Sequence, residues 1–171
     1  PDIIGHAYGP RAMETEDVYL RLDQDIEAIL NALDKEVGKG NYTVFLTADH
    51  GGADVPNHLK AMKIPAGLIY EKNIAAEIKK YFQSRYGDTL LLASVSNEQV
   101  FLDQEKLTSM KLERNTVENE LCEFLTGIQG IAEAYPSRVL KQEAFTGAEP
   151  RALLQNGYNH QRSGNVAFVY R

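Results

Sequence analysis

The stretch "FLTADHGGADVP", Phe45–Pro56, decides how the chain is read: an apolar run stops abruptly on an acid, an imidazole and two glycines. Taken with the residues before it, "YTVFLTAD" (Tyr42–Asp49) is too dense in β-branched and aromatic residues for a one-sided surface strand, so a buried β-strand is expected. Upstream, Val18, Leu22, Ile26, Ile29, Leu33 and Val37 recur at spacings of three or four, the stripe of an amphipathic helix over Thr15–Val37. Thr15 is its expected cap and Gly38 its expected stop. Helix followed by buried strand is the rhythm of an α/β sheet. Ligands of such sheets gather beyond the carboxyl ends of the strands. Asp49 and His50 fall there, and Gly51–Gly52 let the backbone turn away.

Further along, "NIAAEIKKYFQSRYG" reads as a helix capped by Asn73 and ended near Gly87. "TLLLASVS" and "EQVFLD" read as strands joined at Asn97, a small antiparallel excursion over Thr89–Asp103. "NTVENELCEFLTGI" is a helix with Asn115 and Glu118 at capping-box spacing. "GIAEAYP" reads as a strand, "SRVLKQE" and "PRALLQNG" as short helices, and "GNVAFVY" as a closing strand. Pro56–Pro65 is the expected long loop.

With 171 residues and 43% hydrophobic content, the chain is one globular domain or a large piece of one. Against 24 acidic residues stand 18 basic ones, a net charge of −6 without a dense basic cluster, so nucleic acid is not an expected partner. An anionic substrate would need a local source of positive charge, such as a metal. The apolar runs fall short of a membrane span. The single Cys122 allows neither an internal disulfide nor a cysteine-based zinc site. A motif-rich segment opens at Pro1 and a strand-like segment runs into Arg171, so a chain cut from something longer is expected.

Metal-ligating residue types concentrate in three places: Asp2 and His6 in "PDIIGHAYGP", Asp49 and His50 in "TADHGG", and His160 in "GYNHQRSGN". Carboxylate oxygen and neutral imidazole nitrogen are the usual zinc ligands where no thiolate is available. Asp2 and His6 are four apart, but Gly5, Gly9 and Pro10 argue for a turn-rich loop rather than a helix. Each place alone also reads as a turn or a hydrogen-bonded surface histidine. Of the chain's 4 histidines only His58, taken as a plain loop residue, lies outside such a setting, and jointly they favour a metal. Arg162 is read as a salt-bridge partner before an anion contact; Tyr8 suits pocket lining and loop packing equally.

In that order, "PDIIGHAYGP", "TADHGG" and "GYNHQRSGN" resemble the metal-binding motifs of the alkaline phosphatase superfamily. They are most similar to its nucleotide pyrophosphatase/phosphodiesterase-like branch, which includes single-chain secreted bacterial alkaline phosphatases. The resemblance implies an incomplete α/β three-layer sandwich with a mostly parallel sheet, residues 1–171 being the C-terminal part of a single domain. It implies that Asp2, His6 and His160 hold one zinc ion and that Asp49 and His50 hold a second, with manganese or magnesium as alternatives. The implied activity is hydrolysis of small phosphate esters, as a phosphomonoesterase acting through a phospho-Thr or phospho-Ser intermediate. A phosphodiesterase or nucleotide pyrophosphatase is the alternative.

The family's nucleophile and one further Asp lie upstream of the first motif, so this chain is expected to be inactive alone. The implied location is periplasmic or secreted. Sheet edges left uncovered would favour dimers or aggregation. Manganese phosphoglycerate mutases share two motifs but need a further His, and here only His58 is available, in an unlike context. Sulfatases use a single calcium, against which a two-zinc ligand set argues.

Overall fold

The computed structural model describes residues 1–142 and 144–171 and divides the chain into two units, Pro1–Leu68 and Ile69–Arg171.

The first unit holds α1 (Asp2–Tyr8), α2 (Met13–Leu33) continued by a π-helical turn over Asp34–Gly38, and α3 (Pro56–Ala61). α1 replaces the loop expected around Asp2 and His6. Gly5 is tolerated inside its two turns, and the break comes only at Gly9, whose φ of 89° is open to glycine but costly for other residues. α2 runs where the apolar stripe put it, but Thr15 is not its cap. The helix begins at Met13 after an uncapped Ala12, while Thr15 is buried and its hydroxyl donates to the Gly9 carbonyl at 2.7 Å. The loop expected at Pro56–Pro65 starts instead as α3, with Pro56 in the first turn where its missing N–H costs nothing.

The larger correction concerns "YTVFLTAD". Residues 42–48 form no strand, and Phe45 and Leu46 are 89% and 79% exposed. A strand exists only by pairing, and no described segment hydrogen-bonds to this one as a ladder. One end is nevertheless anchored, because the Tyr42 hydroxyl donates to Asp34 Oδ1 at 2.6 Å.

The second unit holds α4 (Glu71–Tyr86), a 3₁₀ turn at Thr89–Leu91, β1 (Leu92–Ser96), β2 (Gln99–Leu102), α5 (Gln104–Ser109), α6 (Arg114–Thr126), β3 (Ile131–Pro136), α7 (Ser137–Gln142), α8 (Pro150–Gly157) and β4 (Val166–Tyr170). The last residue of the helix expected over 137–143 lies outside the described residues. The strands form one sheet in the order β1-β2-β4-β3, and every pairing is antiparallel. The parallel pairing expected from the helix–strand rhythm is thus absent among the described residues, because the strand that suggested it is unpaired. The β1–β2 hairpin turns on Asn97 and Glu98, both at positive φ (49° and 56°), as the two-residue turns that match strand twist require.

Helix starts in this unit also lie upstream of the expected caps. α4 starts at Glu71, not at Asn73. α6 is capped by Glu113, whose carboxylate accepts from Thr116 N at 2.7 Å. Glu118 is buried instead, accepting from Arg114 Nε at 2.6 Å and from Asn165 Nδ2 at 2.9 Å. Asn165 in turn accepts from Leu102 N at 2.9 Å through Oδ1, so one carboxylate and one amide tie α6 to β2 and the start of β4. Ile74, Ile78 and Phe82 of α4 and Val117, Leu121 and Leu125 of α6 meet Val100, Leu102, Ile131, Val166 and Phe168 of the sheet in one core.

Phe82 is fully buried there. Phe82→Ala should therefore lower unfolding free energy by about 3–5 kcal/mol in urea denaturation followed by circular dichroism. The exposed pair Phe45 and Leu46 should make the isolated chain self-associate. Replacing both with Lys should raise the monomer fraction in sedimentation velocity, and an unchanged distribution would exonerate this segment.

Candidate metal centre

α1 brings Asp2 and His6 to one face by their i, i+4 spacing, with His6 Nε2 3.3 Å from Asp2 Oδ1. His50, in the turn after the extended segment, places its Nε2 3.4 Å from the same oxygen and 3.7 Å from Asp49 Oδ2. The His6 and His50 rings meet edge to face, their centroids 5.2 Å apart. Donor atoms of Asp2, His6 and His50 all lie within 4.8 Å of one another, and all three side chains are exposed.

The spacing suits a divalent cation. Two ligand atoms at zinc bond lengths of about 2.0–2.1 Å and a tetrahedral angle stand about 3.3–3.4 Å apart. Those are the separations found at Asp2 Oδ1. The donor set of one carboxylate and two imidazoles is also a common zinc chemistry.

His50 is oriented for the task. Its Nδ1 lies 2.9 Å from the Gly51 carbonyl, which can only accept, so Nδ1 carries the hydrogen and the neutral ring offers its Nε2 lone pair to the cluster. The Gly51 carbonyl, then the charges of Asp49 and Asp2, raise the His50 pKa above the ordinary value of 6.5. The same contacts that aim the ring therefore make protons stronger competitors for it.

A second charged contact lies beside these donors in the chain. The Arg11 guanidinium makes a two-pronged contact with Asp54, Nε to Oδ1 at 2.6 Å and a terminal nitrogen to Oδ2 at 3.1 Å. The contact holds the Asp54 carboxyl below its ordinary range, with His58 on α3 adding a smaller effect of the same sign. Tyr8, Arg11, Asp54, Val55 and His58 line a shallow cavity of about 180 Å³. Asp54 lies inside "FLTADHGGADVP" and Arg11 directly follows "PDIIGHAYGP", but a pairing 43 residues apart leaves no local signature in one sequence.

His160 belongs to the second unit, where it is exposed on a turn between α8 and β4. Its turn is built by Asn159: the side chain accepts from Gln161 N at 3.0 Å, and the backbone N donates to Ser163 Oγ at 2.9 Å. Gly164 closes the turn against β2, since a Cβ there would stand 2.8 Å from the Val100 carbonyl oxygen. Arg162, expected to be a salt-bridge partner, makes no ion pair among the described residues.

Comparison with known proteins bears on this arrangement. Over 169 residues the chain is 35% identical to the alkaline phosphatase PafA of Elizabethkingia meningoseptica, covering 98% of this chain and 30% of that protein. A crystal structure of wild-type alkaline phosphatase PafA matches with a TM-score of 0.87 at 32% identity, over 99% of this chain and 32% of the other. The chain is 34% identical over 171 residues to the alkaline phosphatase PhoV of Synechococcus elongatus. It is 36% identical over 171 residues to a Myroides odoratus protein named as a calcium-transporting ATPase. In both cases the match covers 98% of this chain and 30% of the relative. The chain thus spans about a third of the length of the relatives it matches, and its fold is an incomplete alkaline phosphatase-like α/β fold. The model of type I phosphodiesterases and nucleotide pyrophosphatases matches residues 1–165, nearly the whole chain, and to that family, within the alkaline phosphatase superfamily, the chain belongs.

Proposed function

We propose that this chain is the ligand-bearing, C-terminal part of a single-domain metal-dependent hydrolase of small phosphate esters. The observation that carries the reading is the convergence of the Asp2, His6 and His50 donor atoms within 4.8 Å of one another, a span that fits the neighbouring ligands of two ions about 3.5–4 Å apart. Asp2, His6 and His160 would hold one zinc and Asp49 and His50 a second, with manganese or magnesium as alternatives. Such ions polarise the phosphoryl oxygens and activate a hydroxyl nucleophile. Asp2 contributes negative charge and His50 a fixed lone pair, while the Gly51 carbonyl keeps that ring from rotating. The phosphorylated Thr or Ser of the intermediate would come from residues outside these 171. The names of PafA and PhoV support a phosphomonoesterase. The description of the matching family model favours the alternative, a phosphodiesterase or nucleotide pyrophosphatase. A periplasmic or secreted parent belongs to the same proposal and rests on the family resemblance; among the described residues no helix is long and apolar enough to cross a membrane.

Isothermal titration with zinc tests the reading. His6→Ala and His50→Ala should each weaken binding by at least about tenfold, and His160→Ala should do the same if its imidazole shares the ion. Circular dichroism should stay unchanged for the first two, because both side chains are exposed. Zinc affinity should climb with pH as the proton leaves the His50 ring. The raised His50 pKa displaces that climb upward: the folded state retains its proton beyond the ordinary value, and the proton's contribution to stability fades as pH rises through it. Indifference of zinc binding to both His6→Ala and His50→Ala would remove the site. With p-nitrophenyl phosphate and added zinc, the 171-residue chain alone should show no turnover above the metal-only control, and a phosphatase-like rate would locate the nucleophile inside it.

A further inference from the structure

We infer that Arg11 and Asp54 are positioning residues for the donors of Asp2, His6 and His50, locking the α1–α2 elbow onto the segment that follows His50. The inference rests on the metal reading above and extends it to residues that are not ligands.

The need for a lock follows from α1 itself. It has 7 residues and none of them is buried. Helices shorter than about 12–15 residues hold themselves poorly in water. Donors carried on such a helix keep a fixed spacing only if its end is tied down.

Three contacts tie it, each joining residues just beyond one donor to residues just beyond another. Gly9 meets Val55 so closely that a Cβ on Gly9 would stand 2.5 Å from Val55 Cγ1. Pro10 lies against Gly52, where an added Cβ would be 3.3 Å from the proline ring. Arg11 grips Asp54 through both carboxylate oxygens. The buried Thr15 hydroxyl, bonded to the Gly9 carbonyl, carries the tie into α2.

Of the three, the ion pair alone has direction. Two parallel N–H···O contacts fix the rotation of the elbow as well as its distance, which a single ammonium would not do. Arg11 follows His6 by five residues and Asp54 follows His50 by four, so the pair sits about one turn of chain beyond each imidazole. Both Asp54 oxygens face Arg11, which marks the carboxylate as a brace rather than a ligand.

The test uses the 171-residue chain with zinc by calorimetry and with cobalt(II) by visible absorption, whose intensity separates four-coordinate from higher-coordinate ions. Arg11→Ala and Asp54→Ala should each weaken zinc binding about tenfold and dim the four-coordinate cobalt bands. Arg11→Lys should recover only part of the affinity, and the exchanged pair, Arg11→Asp with Asp54→Arg, should return to within about threefold of the starting value. Arg21→Ala, which breaks the exposed Arg21–Asp17 pair of α2, should change neither readout. If the starting chain binds zinc through His6 and His50 but Arg11→Ala and Asp54→Ala bind it equally well with unchanged cobalt bands, the positioning role is overturned and the metal reading stands. If the starting chain binds no zinc, both fall. If Arg11→Ala proves unfolded, the exchanged pair decides: folded without recovered affinity, it overturns the inference.

Discussion

Two imidazole nitrogens from segments far apart in the chain approach one carboxylate oxygen, Asp2 Oδ1, at 3.3 and 3.4 Å. His6 reaches the oxygen along a helix, by the i, i+4 geometry of residues one turn apart. His50 reaches it across 48 residues of chain, and that requires the elbow at Gly9 to close against Gly52–Val55. Glycine is required at position 9 twice over, once for its positive φ and once because Val55 occupies the space of a side chain. A backbone requirement thus stands behind what reads as a chemical motif.

The first unit carries donors on exposed, short elements, whereas the second carries the hydrophobic core. Its buried residues come mainly from α4, α6 and the sheet, and the buried carboxylate of Glu118 is matched by Arg114 and Asn165. Burying a charge is tolerable only when its lone pairs are satisfied, and here they are satisfied by residues from α6 and from the end of the "GYNHQRSGN" motif. That motif therefore divides its labour: Asn159, Ser163 and Gly164 shape the turn bearing His160, while Asn165 belongs to the core. Reading all of its residues as chemistry would misassign half of them.

Most of the second unit was legible in the sequence because its elements satisfy themselves locally. The β1–β2 hairpin closes on Asn97 within a few residues, and α4 stops at Gly87 in the left-handed conformation that a glycine after an amphipathic run suggests. Caps were harder, because several acceptors compete within one turn: Glu113 outreached Asn115, and Glu118 was drawn inward by Arg114 and Asn165. The candidate ligands were legible as residue types in glycine-rich settings. Their convergence was expected only from the family resemblance, and the Arg11–Asp54 pair was not legible at all, because neither partner alters the local pattern around the other.

By itself the sequence determined the helices with apolar stripes, the antiparallel hairpin, the motif that assigns the family and the residue types available to hold a cation. These are properties of neighbours a few positions apart, and covalent geometry enforces them. Tertiary structure alone decided that Asp2 and His6 sit on a helix, that Tyr42–Ala48 stays unpaired, and that His50 turns its Nε2 toward Asp2. Each of those outcomes depends on whether a distant segment arrives to pair, pack or accept a hydrogen bond, and periodicity carries no record of such arrivals.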